Sequence, residues 1–260
     1  MPFTDNNNRR SFLRKSFAAT GASVLTTMLS ANSAIAFNKD KDGENFIFLF
    51  QGDSITDGNR TRNNDWNHVM GHGYQYIIAS KLWYDLPQKH LHFYNRGISG
   101  NKVTDLQQRW DTDTIAIKPG VLSILIGIND LDAWMNDNAT FTTLDFEASY
   151  RKLLHTTITA LPSLQLVLCE PFILPVGKVK DKWALYNDEI KKRQGVVKKL
   201  SDEFNAIYIP FQQAFNDALK RAPADYWIWD GIHPMPAGHE LMAVEWMKQV
   251  SKKLKFINSA

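Results

Sequence analysis

The sequence predicts one α/β domain built on a five-stranded parallel sheet, and three observations carry that prediction. Five short, continuous apolar runs are spaced between residues 46 and 209 of the 260-residue chain. Segments with helical apolar spacing lie between and after them, and each run gives way to a polar or glycine-bearing loop. A strand that is apolar without alternation is buried on both faces, as in a parallel sheet covered by helices. Strand–helix alternation in one chain is the pattern of that architecture.

The first run, Phe46-Ile47-Phe48-Leu49-Phe50, stops at Gly52. Residues 91–94, 121–126, 164–168 and 206–209 repeat it, each short and aromatic or β-branched. In 145–161, Phe146, Tyr150, Leu153, Leu154, Ile158 and Leu161 fall three or four apart and form one stripe. Residues 183–204 and 211–222 read the same way, although Gly195 weakens the former by about 1 kcal/mol against alanine. Leu241, Val244, Met247, Val250 and Leu254 stripe a last helix entered through Pro234 and Pro236. No internal repeat, low-complexity linker or second domain is visible. Ligands of such sheets bind beyond the carboxyl ends of the strands, so chemistry is sought there.

Residues 1–36 have the layout of an export signal cleaved after Ala36, leaving 37–260 as the mature domain. A polar stretch ends in Arg9-Arg10-Ser11-Phe12-Leu13-Arg14, a modestly apolar run follows from Phe17 to Ala31, and Ala34-Ile35-Ala36 offers a small-x-small site. The arginine pair followed by Phe-Leu resembles a twin-arginine signal, which implies export in the folded state to the periplasm or beyond. Net charge follows this division. The whole chain is +3, but removing the four basic and one acidic groups of residues 1–36 leaves 26 of each sign. A neutral mature chain gives no electrostatic support for nucleic-acid binding. The single cysteine, Cys169, excludes an intramolecular disulfide and any multi-cysteine metal site. No later stretch is long and apolar enough for a stable membrane anchor.

Four short blocks stand where strands are expected to end. They are Gly52-Asp53-Ser54-Ile55-Thr56-Asp57-Gly58, Asn95-Arg96-Gly97-Ile98-Ser99-Gly100, Gly127-Ile128-Asn129-Asp130 and Asp230-Gly231-Ile232-His233-Pro234. Taken singly each has a plain reading: Ser54 would cap a helix, Gly97 and Gly100 turn the chain, Asn129 hold a loop, and His233 sit satisfied in the interior. A second Asp-x-x-His, Asp65-Trp66-Asn67-His68, is read as an accident, as is His90-x-His92 against a metal site.

Together and in this order, the blocks resemble the SGNH or GDSL-type hydrolases over most of residues 46–255. That resemblance implies a three-layer, flavodoxin-like sandwich. It also implies Ser54 as nucleophile, His233 as general base, Asp230 as its orienting carboxylate, and an oxyanion hole of Ser54 N–H, Gly97 N–H and the Asn129 amide. The residue chemistry suits those roles. A serine hydroxyl needs a neighbouring imidazole to take its proton, and the imidazole needs an acceptor on its other nitrogen to fix the tautomer. Glycine permits close backbone approach, and asparagine supplies a side-chain N–H. Asp53 is read as holding its loop by hydrogen bonds. The Gly-x-Ser-x-Gly elbow of α/β-hydrolases is absent.

Flanking residues narrow the resemblance to the acetylxylan esterase branch: Gly73-Tyr74, the run from Asn95 to Leu106, Arg109-Trp110, and Trp229-Asp230. The implied substrate is acetylated plant polysaccharide, xylan foremost. Trp229, Trp134 and Tyr74 are the candidate substrate-binding residues, because aromatic faces often bind sugars; core packing is the competing reading for the tryptophans. Other readings are a lysophospholipase, thioesterase or general short-chain esterase of the same superfamily, or a non-catalytic glycan-binding descendant. No cofactor or metal is implied. A homo-oligomer is left open, with Trp66 and Trp83 as exposed aromatics that would serve an interface.

Overall fold

The computed structural model describes residues 46–63, 65–136 and 140–258, so the export segment read in residues 1–36 lies outside the described residues. Five strands, β1 (Ile47–Gly52), β2 (His92–Asn95), β3 (Val121–Leu125), β4 (Gln165–Cys169) and β5 (Ile207–Ile209), form one sheet. Its order is β2-β1-β3-β4-β5 and every pairing is parallel. This is the flavodoxin-like doubly wound order. The strands lie within two residues of the apolar runs, because the sheet is covered on both sides: β3 and β4 are buried throughout.

Side chains alternate across β1 into two cores. Phe48 and Phe50 pack with Ile78 and Leu82 of α2 (Tyr74–Asp85), Phe211 and Phe215 of α8 (Phe211–Ala218), and Met242 and Trp246 of α10 (Pro236–Val250). Leu49 packs on the opposite side with Val103 and Leu106 of α3 (Val103–Gln108), Leu153 of α5 (Thr143–Ala160), and Val197 and Leu200 of α7 (Trp183–Glu203). One-turn helices α1 (Ser54–Asp57), α6 (Gly177–Lys180) and α9 (Ala224–Trp227), with α4 (Ile128–Asn136), occupy the connections.

Apart from the one-turn helices, three helices are absent from the sequence reading, for physical reasons. The α2 segment opens Tyr-Gln-Tyr-Ile-Ile, residue types that favour strands. Its buried stripe of Tyr74, Ile78 and Leu82 shows the helical period only once the helix start is known. The α3 and α4 helices begin in or just after motif blocks that read as loops. At the other extreme, α7 runs unbroken through Gly195. No helix among the described residues is long and apolar enough to cross a membrane.

Candidate active site

The first block folds as a strand-to-helix turn. Asp53 caps α1, its Oδ1 accepting the Ile55 N–H at 3.0 Å, and Ser54 is the first helical residue. Asp53 is fully buried and its Oδ2 has no partner among the described residues. Burial pushes its carboxyl up to about 7. The reading of Asp53 as a loop-holding residue fits this cap.

The fourth block lies between α9 and α10, and its acid and base support each other. His233 Nδ1 lies 2.7 Å from Asp230 Oδ2, while Asp230 Oδ1 accepts the N–H groups of His233 at 2.7 Å and Ile232 at 2.9 Å. Burial alone would raise the Asp230 carboxyl, but the hydrogen bonds from His233 and Ile232 outweigh it and hold the group at about 2. The other ring nitrogen, His233 Nε2, is 2.8 Å from Ser54 Oγ, joining residues 179 positions apart. A hydroxyl, an imidazole and an ionised carboxylate in this continuous arrangement can pass a proton from serine to histidine during nucleophilic attack.

The second block continues the pairing of β2 with β1 past the strand end. Arg96 N–H donates to Phe50 O and Ile98 N–H to Gly52 O, so the loop runs beside the serine turn. The following turn closes with Asn101 N–H donating to Ile98 O, and Gly100 in its third position has φ +84°, which a side chain would strain. From the third block, Asn129 Nδ2 donates to Asn101 O at 3.1 Å, bringing that amide against the same turn.

The geometry is that of a hydrolase with a serine at the end of the first parallel strand, and relatives agree. The profile of the GDSL-like Lipase/Acylhydrolase family matches residues 50–241. The chain belongs to the GDSL-like lipase/acylhydrolase family. An acetylxylan esterase from Geobacillus stearothermophilus is 34% identical over 218 residues, 81% of this chain and 96% of that one. The solved structure of an acetylxylan esterase named Axe2, from the same organism, superposes with a TM-score of 0.70 at 32% identity, covering 81% of this chain and 96% of the other. A protein from Parabacteroides merdae described as a GDSL-like lipase gives a TM-score of 0.76 at 41% identity, over 80% of this chain and 96% of that one. This acylhydrolase is therefore a serine carboxylic-ester hydrolase.

At three positions the acylhydrolase departs from the sequence reading. Gly97 N–H donates to Asn95 Oδ1 at 2.9 Å and the residue is buried, so this N–H is already committed and is not an oxyanion donor. Glycine is required there for packing, since a Cβ would stand 2.4 Å from Asp57 N. Gly100 N–H, in the exposed turn beside Asn129, meets no acceptor among the described residues, and neither does Ser54 N–H. Tyr74 is not a substrate residue: it is wholly buried at the start of α2, with its hydroxyl 3.1 Å from Thr56 Oγ1. Trp83 is no exposed aromatic, because its indole N–H donates to Leu91 O and its ring packs edge-on to Phe93.

The remaining candidates fall as follows. Trp229 is 61% exposed and stacks on the His233 ring at 6.3 Å between centroids, and Trp66 is also exposed. Trp134 is half-buried, one turn beyond Asp130 on α4. Asp130 Oδ1 accepts the Val103 N–H at 3.1 Å, tying the third block to the start of α3. Among the described residues no group of three or more histidine, cysteine, aspartate or glutamate side chains could hold a metal ion. Sequence reasoning missed His239, a buried residue on α10 whose Nδ1 accepts the Tyr74 N–H at 3.2 Å. Burial, reinforced by the charges of His72 and His233, pushes its imidazole down to about 4.

Proposed function

We propose that this acylhydrolase removes acetyl groups from plant polysaccharide or its oligosaccharides, acetylated xylan foremost, with Ser54, His233 and Asp230 as its triad. The observation that carries the reading is the unbroken contact from Ser54 Oγ through His233 to Asp230. Among structures of the Geobacillus enzyme are ones described as catalytic mutants at a serine, an aspartate and a histidine three residues after it. Ser54, Asp230 and His233 supply the same residue types with the same three-residue step.

In the first half-reaction Ser54 Oγ attacks the ester carbonyl carbon as His233 Nε2 takes its proton. The carbonyl oxygen becomes an oxyanion facing Ser54 N–H, Gly100 N–H and the Asn129 N–H left over from the bond to Asn101. Collapse of this intermediate expels the sugar hydroxyl, protonated by His233, and leaves acetyl-Ser54. Water then attacks the acyl carbon, giving a proton to His233, and collapse of this second intermediate breaks the bond to Oγ, releasing acetate as His233 returns the proton to Ser54 Oγ. Asp230 keeps the Nδ1 proton in place so that Nε2 is free to accept. Trp229, exposed beside His233, offers the sugar an apolar face. The arginine pair and the Ala34-Ile35-Ala36 site support action outside the cytoplasm, where such polysaccharide lies.

The test is acetate release from acetylated xylan, acetylated pectin, acetylated chitin-type sugars and aryl acetates, with a long-chain acyl ester as comparator. Acetylated xylan is expected to be the best polymer. Ser54→Ala is expected to lose several orders of magnitude in kcat while melting like the wild type. A preference for long acyl chains overturns the deacetylase reading in favour of a lipase-like one. Turnover that survives in Ser54→Ala overturns the nucleophile.

A further inference from the structure

We infer that Arg109 is a positioning residue that clasps both ends of the loop from Arg96 to Asn101 and so sets the oxyanion donors. Its Nη1 donates to Arg96 O at 2.8 Å where the loop leaves β2, and its Nε donates to Asn101 Oδ1 at 2.9 Å where the loop ends. One planar guanidinium therefore spans the two ends of the turn that carries Gly100. A third contact, Nη1 to Gln51 Oε1 at 3.0 Å, ties the clasp to β1 three residues before Ser54. Gln51 is itself fixed, donating to Asp113 O and to Thr114 Oγ1.

The charge of Arg109 is matched locally by Asp113, whose Oδ2 lies 2.9 Å from Nη1. The residue thus contributes geometry to the site and little net field. Geometry matters because an oxyanion donor works only when held at hydrogen-bond distance from where the oxygen will be, with no reorganisation left to do. Asn101 is the shared part: its side chain is held by Arg109, and its carbonyl accepts from Asn129 Nδ2. Moving Asn101 would move the Asn129 amide and the Gly100 N–H together. Lysine cannot replace the clasp, since a single ammonium on a flexible stem lacks the rigid fork that reaches two acceptors.

The inference rests on the site reading proposed above, and the experiment separates the two. Steady-state kcat and KM for p-nitrophenyl acetate are measured with the full chain and with Ser54→Ala, Arg109→Lys, Arg109→Ala, Asn101→Ala, Asn129→Ala and the double variant Arg109→Ala/Asn129→Ala. Arg109→Ala is expected to lower kcat roughly 10²-fold with KM within about twofold, the signature of lost transition-state stabilisation. Arg109→Lys is expected to recover little of this, whereas added methylguanidinium ion restores part of it to Arg109→Ala. In the double variant the losses do not multiply, because both residues act on one set of donors. The clasp is overturned by an unchanged kcat in Arg109→Ala, by a change confined to KM, or by losses that multiply. Should Arg109→Ala not fold, Asn101→Ala and Arg109→Lys carry the same expectation, and wild-type kcat in both refutes it. Activity surviving in Ser54→Ala instead refutes the site reading itself.

Discussion

Replacing Asp230 by asparagine tests the relay at its most constrained point. Asp230 Oδ1 accepts two backbone N–H groups, at 2.7 and 2.9 Å, so the carbonyl of a substituted amide must take that place. The amide NH2 is then forced into the position of Oδ2, 2.7 Å from His233 Nδ1. A donor facing Nδ1 makes that nitrogen the acceptor and moves the ring proton to Nε2, against Ser54 Oγ. In this tautomer the imidazole cannot take the serine proton. The expected loss in kcat is roughly 10³–10⁴-fold, or about 4–5.5 kcal/mol of activation free energy. The fold should be kept, since the backbone contacts of Oδ1 survive, but the variant should melt somewhat lower near neutrality because the ionised carboxylate is gone. With the folded carboxyl at about 2 against an ordinary 3.8, the wild-type group contributes stability that is complete above about pH 4 and fades as pH falls toward 2. The assay is initial acetate release from an aryl acetate, beside a melting curve. Asp65→Asn is the internal control: Asp65 and His68 make the same contact at 2.6 Å, on an exposed segment. Retention of more than about a tenth of kcat/KM in Asp230→Asn, or an equal loss in Asp65→Asn, refutes the reasoning.

Two further predictions concern stability. His239 is held neutral in the fold, at about 4 against an ordinary 6.5, so the unfolded chain binds more protons between those values. Stability should therefore be complete above about pH 6.5 and fall as the pH drops toward 4, and His239→Gln should flatten that limb of a plot of Tm against pH; an unaltered limb would remove His239 as its source. Gly195→Ala places a Cβ where no heavy atom lies within 4 Å, inside an unbroken helix, and should raise stability by roughly 0.4–1 kcal/mol in a denaturant titration.

The central strands β1, β3 and β4 could be read from sequence because burial on both faces writes itself as uninterrupted apolar residues. The α2 helix could not, and its loss had a consequence at the site: without a helix starting at Tyr74, that tyrosine looked like an aromatic beside the first block. In the second block the two glycines are equivalent on paper. Which N–H is free depends on the Asn95 side chain, which folds back on Gly97 two residues on. An Asx turn at Asn-x-Gly was the available signal. The two Asp-x-x-His steps make the same point in reverse. Both form the same pair, and only the tertiary fold sets Ser54 against one of them. His239 and Arg109 act through partners 165 and up to 58 residues away, a relation no local pattern carries.

The same separation gives the relay a history within each molecule. Asp230 and His233 can find each other within a single loop, whereas the serine was made 179 residues earlier. A chain emerging from its N-terminal side has every strand of the sheet in hand by Ile209, yet still lacks the Asp230–His233 pair that meets Ser54. On the proposed mechanism, hydrolysis waits for the last stretch of the chain, which also brings α10 and its share of the core.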